Sequence, residues 1–192
     1  MKKNIITAVL YTVVTAVLLG VVYPLAVTGL AHLIFPKKAE GSLISQNGTL
    51  IGSHLIGQTF SGPTYFWSRP SAAGTGYDAS NSSGSNYAPT NAALATRVTA
   101  TVQTLNPKGT NAAVPIDLAT ASASGLDPDI SPAAAYYQVE RVAEARHISP
   151  DAARALVAAH VTPRQFGLLG EPRVNVLELN LDLDKVAPVA AK

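Results

Sequence analysis

The sequence predicts an α+β soluble domain anchored by a single N-terminal transmembrane helix. Three observations predict it. Residues 4–36 carry no formal charge and are almost wholly apolar. The chain of 192 residues leaves roughly 150 beyond that run, the usual size of one domain. Within that remainder, β-prone runs alternate with segments that open on Ser-Pro helix starts.

The apolar run from Ile5 to Phe35 is the first element. A membrane-spanning helix needs about 20 mostly apolar residues. A secretory signal has an apolar region of about 7–15 residues before a small-residue cleavage site. This run is longer and has no Ala-x-Ala end. A buried core helix of this length would need apolar cover on every side, more than a small domain supplies. Tyr23-Pro24 predicts a kink, because proline removes a backbone donor. Gly20, with Ala16, Thr28 and Gly29, offers a face on which a second helix can approach closely. Lys2 and Lys3 precede the helix, and Lys37 and Lys38 follow it with Glu40. The basic flanks nearly balance, with a small lean toward a cytoplasmic amino terminus.

The soluble domain is placed at 41–187, with 188–192 as a tail. Asn47-Gly48 between β-prone runs predicts a hairpin over 41–58, since both turn residues must take positive φ. A further strand-like run covers 53–60. Residues 73–89 are mostly Gly, Ser, Asn, Ala and Tyr, without periodicity. That stretch is too long for an ordinary connection, and Tyr77 and Tyr87 give it side chains that can dock, so an ordered functional loop is expected. Thr90 or Asn91 caps a helix through Leu105, whose stripe is Leu94, Val98, Val102 and Leu105. Val114 to Thr120 reads as a short strand. Ser131-Pro132 opens a helix through Arg146, and Ser149-Pro150 opens another through His160. Val174 to Leu183 reads as a last strand with a bulge where its alternation changes phase.

Composition narrows the chemistry. Charged residues are 14% and the net charge is +2, so nothing points to nucleic acid. Zero cysteines exclude disulfides, thiol catalysis and thiolate metal sites. The sequence contains no Gly-Lys-Ser/Thr of a phosphate-binding loop, and Asp184-Lys185-Val186 lacks the Thr-Gly-Thr of a phosphorylated transport ATPase. His32, His54, His147 and His160 lack metal-ligand spacing. No catalytic residue, metal site or cofactor-binding residue emerges.

Three features stand above this background. Arg69 lies among aromatic residues in Tyr65-Phe66-Trp67-Ser68-Arg69, which reads either as a packed corner or as an interface anchor. Ser82-Ser83-Gly84-Ser85-Asn86 could aim backbone N–H groups at an anion, though a plain loop explains it as well. Asp127 and Asp129 could bind a cation or cap the helix that follows. The partner-binding candidates are therefore Trp67, Arg69, Tyr77 and Tyr87 on the soluble domain and Gly20 on the membrane helix.

The chain resembles the C subunit of the Kdp high-affinity potassium-transporting P-type ATPase of bacteria. The matching segments are Val22-Tyr23-Pro24-Leu25, Gly52-Ser53-His54-Leu55-Ile56-Gly57-Gln58 and Tyr65-Phe66-Trp67-Ser68-Arg69-Pro70-Ser71-Ala72. They continue with Ser83-Gly84-Ser85-Asn86, Thr120 to Asp127, Arg141 to Arg146 and Val174 to Asn180, in order along nearly the whole chain. The resemblance implies a non-catalytic subunit of a four-part inner-membrane pump. Its partners would be a channel-like subunit that selects potassium, an ATP-hydrolysing subunit and a small single-helix subunit. ATP and potassium would be used by the complex. The family's C subunit is described as a catalytic chaperone that raises ATP affinity, and its soluble domain as periplasmic. A membrane-anchored periplasmic enzyme would need a nucleophile with a base or a metal cluster. A solitary anchored binding module would differ from a pump subunit in what co-purifies with it.

Overall fold

A computed structural model describes residues 1–107, 109 and 113–188; Val189 to Lys192 of the expected tail lie outside the described residues. The chain divides into two compact units, Met1–Ser53 and His54–Lys192.

The first unit begins with helix α1, Lys2–Val17, a π-helical turn, Leu18–Val22, and helix α2, Tyr23–Ile34. Together they form one apolar helix of 33 residues with no buried residue. At 1.5 Å per residue this is about 50 Å long, more than the ~30 Å of a hydrocarbon core. The disturbance expected at Tyr23-Pro24 takes the form of the π turn, in which the Tyr23 N–H bonds to the Leu18 carbonyl. Pro24 has no N–H to continue the ladder, and one widened turn absorbs the gap. Phe35 leaves helical geometry, and Pro36–Ala39 forms the single turn α3. Strands β1, Leu43–Gln46, and β2, Thr49–Ser53, then form the expected antiparallel hairpin. Asn47 and Gly48 both have positive φ (52° and 78°), as the tight turn requires. A bulge lies between Ile44 and Ser45.

The second unit is helices around a small antiparallel sheet of order β3-β5-β4. Its strands are β3, Asp129–Ile130, β4, Val161–Thr162, and β5, Arg173–Asn175. Val174 sits at the centre, opposite Ile130 on one side and Val161 on the other. Helix α4, Ala92–Leu105, starts at Asn91, whose Oδ1 accepts from the Ala93 N–H. Helices α6, Pro132–Tyr137, and α8, Pro150–Ala159, open as their Ser-Pro pairs predict, with Ser131 and Ser149 Oγ accepting at 3.1 Å from the third residue on. The core joins Phe66, Leu118, Ile130, Val139, Val142, Val157, Val174, Leu179 and Leu183.

Four sequence expectations are corrected. The run 53–60 is no strand beyond Ser53; Gly57 instead makes one backbone bond to the Leu126 carbonyl. Val114 to Thr120 is not a strand but contains the one-turn helix α5, Ile116–Ala119, entered through Pro115. Its Asp117 carboxylate accepts from the Ser131 N–H and so joins α5 to the start of α6. The helix expected from Ser131 to Arg146 breaks at Gln138 into α6 and α7, Val139–Arg146. His147 in the left-handed region then ends α7, with the Ile148 N–H bonded back to the Ala143 carbonyl. Finally, only Arg173–Asn175 of the last expected strand is extended, and Val176–Val186 is helix α9. Its buried residues include Val176, Leu179, Asn180 and Leu183, spaced 0, 3, 4 and 7, which is a helical stripe.

Candidate functional site

Tyr65 to Asn86 has no strand or α-helix of its own, only one 3₁₀ turn over Ala79–Asn81. Buried backbone must nevertheless find hydrogen-bond partners, and side chains of α7, of α9 and of the break between α6 and α7 supply them. The Phe66 N–H donates to Asn180 Oδ1, and Asn180 Nδ2 donates to the Phe66 carbonyl, both at 2.9 Å. The Trp67 N–H donates to Gln138 Oε1 at 2.7 Å, and Gln138 Nε2 donates back to the Trp67 carbonyl. Two carboxamides thus stand in for two rungs of a β-ladder. Gln138, whose side chain is buried, stands at the break between α6 and α7. Arg141 donates to the carbonyls of Pro63 and Tyr65 and lies 4.0 Å over the Trp67 ring. Burial lowers the Arg141 pKa to about 10. Arg146 donates to the Thr64 and Ala187 carbonyls and pairs with Asp184 at 2.8 Å.

Beyond Trp67 the loop is clamped to residues 120–131. Arg69 Nη1 meets Asp127 Oδ2 at 2.9 Å, and Nη2 reaches the Ala121 carbonyl. Ser71 Oγ donates to the Gly125 carbonyl and accepts from the N–H groups of Ala73 and Tyr77. The Tyr77 hydroxyl donates to the Arg69 carbonyl at 2.8 Å, with Tyr77 itself at φ +55°. Burial pushes its pKa up to about 12. At Gly125, φ is +68°, and an added Cβ would lie 2.6 Å from the Ser83 carbonyl oxygen and 2.7 Å from the Ala73 nitrogen. The facing loop comes too close there for any side chain at position 125.

Trp67, Arg69 and Tyr77 are therefore brought together, each with a partner inside the chain. Trp67 donates Nε1–H to the Gly62 carbonyl. Tyr87 lies apart, half-exposed, with the Arg97 guanidinium 5.5 Å over its ring. Gly20 belongs to the membrane unit and has open space around its Cα. In the stretch Ser82 to Asn86, considered as an anion nest, the Ser83 N–H is taken up by the Ser124 carbonyl. Asp127 does not cap α6; Ser131 does that, while Asp127 accepts from Arg69 and from the Asp129 N–H. Burial raises the Asp129 pKa, against the pull of Arg173 at 3.0 Å. Among the described residues no three His, Cys, Asp or Glu side chains are grouped to hold a metal ion.

Three recesses flank the clamp. One of about 320 Å³ lies between Trp67, Phe60, Leu118 and the Thr101–Leu105 end of α4. A smaller one, about 190 Å³, is bordered by Arg69, Ser71 and Tyr77. The third, about 400 Å³, has Arg69, Asp117, Asp127, Asp129 and Arg173 on its walls, with charges of both signs. Sequence reasoning missed Asn180, Gln138, Arg141 and Arg146 as the loop's supports. A signal for Asn180 existed: one polar residue in the apolar stripe of a helical pattern.

The family model for the K+-transporting ATPase c chain, KdpC, matches residues 5–185. A potassium-transporting ATPase KdpC subunit of Koribacter versatilis is 60% identical over 189 residues, covering 98% of each chain. The Acidobacterium capsulatum protein of that name is 63% identical over 180 residues, 94% of this chain and 97% of its own. That of Burkholderia cenocepacia is 56% identical over 179 residues, 92% of each. The match runs from the membrane helix through α9 and takes in the clamped loops, so the chain belongs to the KdpC family, the c chain of K+-transporting ATPases.

Proposed function

We propose that this chain is a non-catalytic, single-pass subunit of an ATP-driven potassium uptake pump in the bacterial inner membrane. Residues 54–188 would lie on the periplasmic side. The observation that carries the reading is the helix Lys2–Ile34, uncharged and mostly apolar from Asn4 onward and with no buried residue, in a member of a transport-ATPase family. Such a surface needs lipid or other helices around it. Gly20 allows one of those helices to approach, and Gly20→Leu should weaken retention of the other subunits. The partners in this reading are the channel-like subunit, the ATP-hydrolysing subunit and the small single-helix subunit. ATP and potassium act on the complex, and any rise in ATP affinity is transmitted through subunit contacts. The loop 65–86, with Trp67, Arg69 and Tyr77, is a rigid surface suited to such contacts, because its backbone is already ordered before a partner arrives; Tyr87, just after it in sequence, adds a separate, half-exposed ring.

The test is co-purification. Tagged full-length chain, solubilised in mild detergent from potassium-limited cells, should bring the other subunits with it. Recovery of this chain alone would overturn the reading. A reporter active only in the periplasm, fused after Lys192, should give signal; activity from a cytoplasm-only reporter instead would reverse the orientation.

A further inference from the structure

Strands β4 and β5 are joined by a connection whose tip, residues 164–170, leaves its large apolar side chains uncovered. Phe166 is 84% exposed, Leu168 79% and Leu169 61%. The tip is nevertheless well ordered by its own backbone. The Gln165 N–H donates to the Leu169 carbonyl and the Leu169 N–H donates back, both at 2.9 Å. The Gly167 N–H donates to the Arg164 carbonyl and the Leu168 N–H to that of Gln165. Phe166 is held at φ +54°, a region that bulky residues rarely adopt. A soluble surface has no reason to keep three large apolar residues together in a fixed, unfavourable turn, and such patches mark interaction sites.

The charge around the tip identifies its occupant. Arg164 Nη2 meets both oxygens of Glu171, at 2.8 and 2.6 Å. Arg173, further along, is paired with Asp129. The sequence 165–170 is uncharged. An element that seats on an anionic lipid surface combines apolar residues with available basic ones; here both neighbouring arginines are neutralised. A pre-ordered, neutral apolar knob fits an uncharged apolar recess in a protein, and loses little conformational entropy on entering it.

We propose that this tip docks into an uncharged apolar recess on another subunit of the potassium-transporting ATPase. The inference rests on the pump-subunit reading and adds a contact site separate from the loop 65–86. It is tested by placing a photoreactive side chain at the tip of the full-length protein, Phe166→p-benzoylphenylalanine, and illuminating the detergent-purified complex. The expected product is a covalent adduct with another ATPase subunit. If the subunits co-purify but the adduct joins lipid or a second copy of this chain, or none forms, the inference fails while the pump-subunit reading stands. If no other subunit co-purifies, both fail. As an independent measure, Phe166→Ser with Leu168→Ser should leave the melting temperature unchanged and reduce subunit retention about tenfold or more, as loss of an aromatic anchor does. Unchanged retention would overturn the proposal.

Discussion

Asn180 holds Phe66 by both of its backbone groups, accepting from the N–H and donating to the carbonyl at 2.9 Å each. Phe66 is fully buried and Asn180 nearly so. Replacing the amide by a hydrocarbon of similar size leaves one donor and one acceptor without partners, and each orphaned buried group costs about 1–3 kcal/mol. Asn180→Leu should therefore destabilise by about 2–4 kcal/mol and lower Tm by roughly 10 °C. Thermal unfolding of the full-length chain in detergent checks this, and an unchanged Tm would show that the carboxamide is not the support.

The ion pair of Arg69 and Asp127 lies between surface and core, its side chains 24% and 29% exposed. Exposed pairs contribute about 0–1 kcal/mol, while breaking a fully buried one costs about 3–5 kcal/mol. Arg69→Ala and Asp127→Ala should each lower stability by about 1–2 kcal/mol. The double variant should lose less than the sum of the two, since both singles remove the same interaction. Strict additivity in denaturant melts would mean that Arg69 acts elsewhere.

Tyr77 sets an alkaline limit. Its folded pKa of about 12 lies above the ordinary value of 10.0, chiefly because burial opposes the phenolate. Between those values the unfolded chain releases a proton that the folded chain retains, so the associated stability is complete below about pH 10 and falls as pH approaches 12. Tyr77→Phe should flatten this part of the stability–pH curve. At neutral pH it should cost about 1 kcal/mol for the lost bond to the Arg69 carbonyl. Denaturant midpoints from pH 9 to pH 11.5 measure both effects.

Two glycines with nearly equal φ provide a controlled comparison. Gly125 (φ +68°) would place a Cβ within 2.8 Å of three atoms of the facing loop, whereas Gly167 (φ +74°) has open space. Gly167→Ala should cost about 1–2 kcal/mol, the backbone term alone. Gly125→Ala adds the separation of two loops and should cost several kcal/mol, on the scale of the severe core substitutions. Equal melting temperatures for the two variants would mean that the loops yield easily.

The elements legible in the sequence were those whose signals are local. The membrane helix, the Asn47-Gly48 hairpin and the capped starts of α4, α6 and α8 all follow from residues a few positions apart. Helix α9 was misread because Leu177, Leu179, Leu181 and Leu183 alternate like a strand. The cap of Asn175 on the Glu178 N–H and burial of Asn180 beside Leu179 override that pattern. Trp67 and Arg69 stand out together by composition, and Tyr77 separately as a side chain of the irregular stretch after them, but nothing local shows that the three meet or how they are held. Their partners are Gln138, Asp127 and residues of 120–131, distant in sequence and without a local signature. For Val114 to Thr120, β-propensity lost to Pro115 and to the tie from Asp117 to Ser131.

The bond between Phe66 and Asn180 spans 114 residues, and this has a temporal consequence. A ribosome adds about 5–20 residues per second, so Phe66 is made several seconds before the amide that will hold it. The apolar helix emerges first, is complete by Ile34, and meets the membrane with most of the chain still unsynthesised. Closure of the loop 65–86 must then wait for α9, the final described helix. A nascent chain halted before Asn180 should remain protease-sensitive from Thr64 to Tyr77, and protection should appear abruptly once Val186 has cleared the exit tunnel.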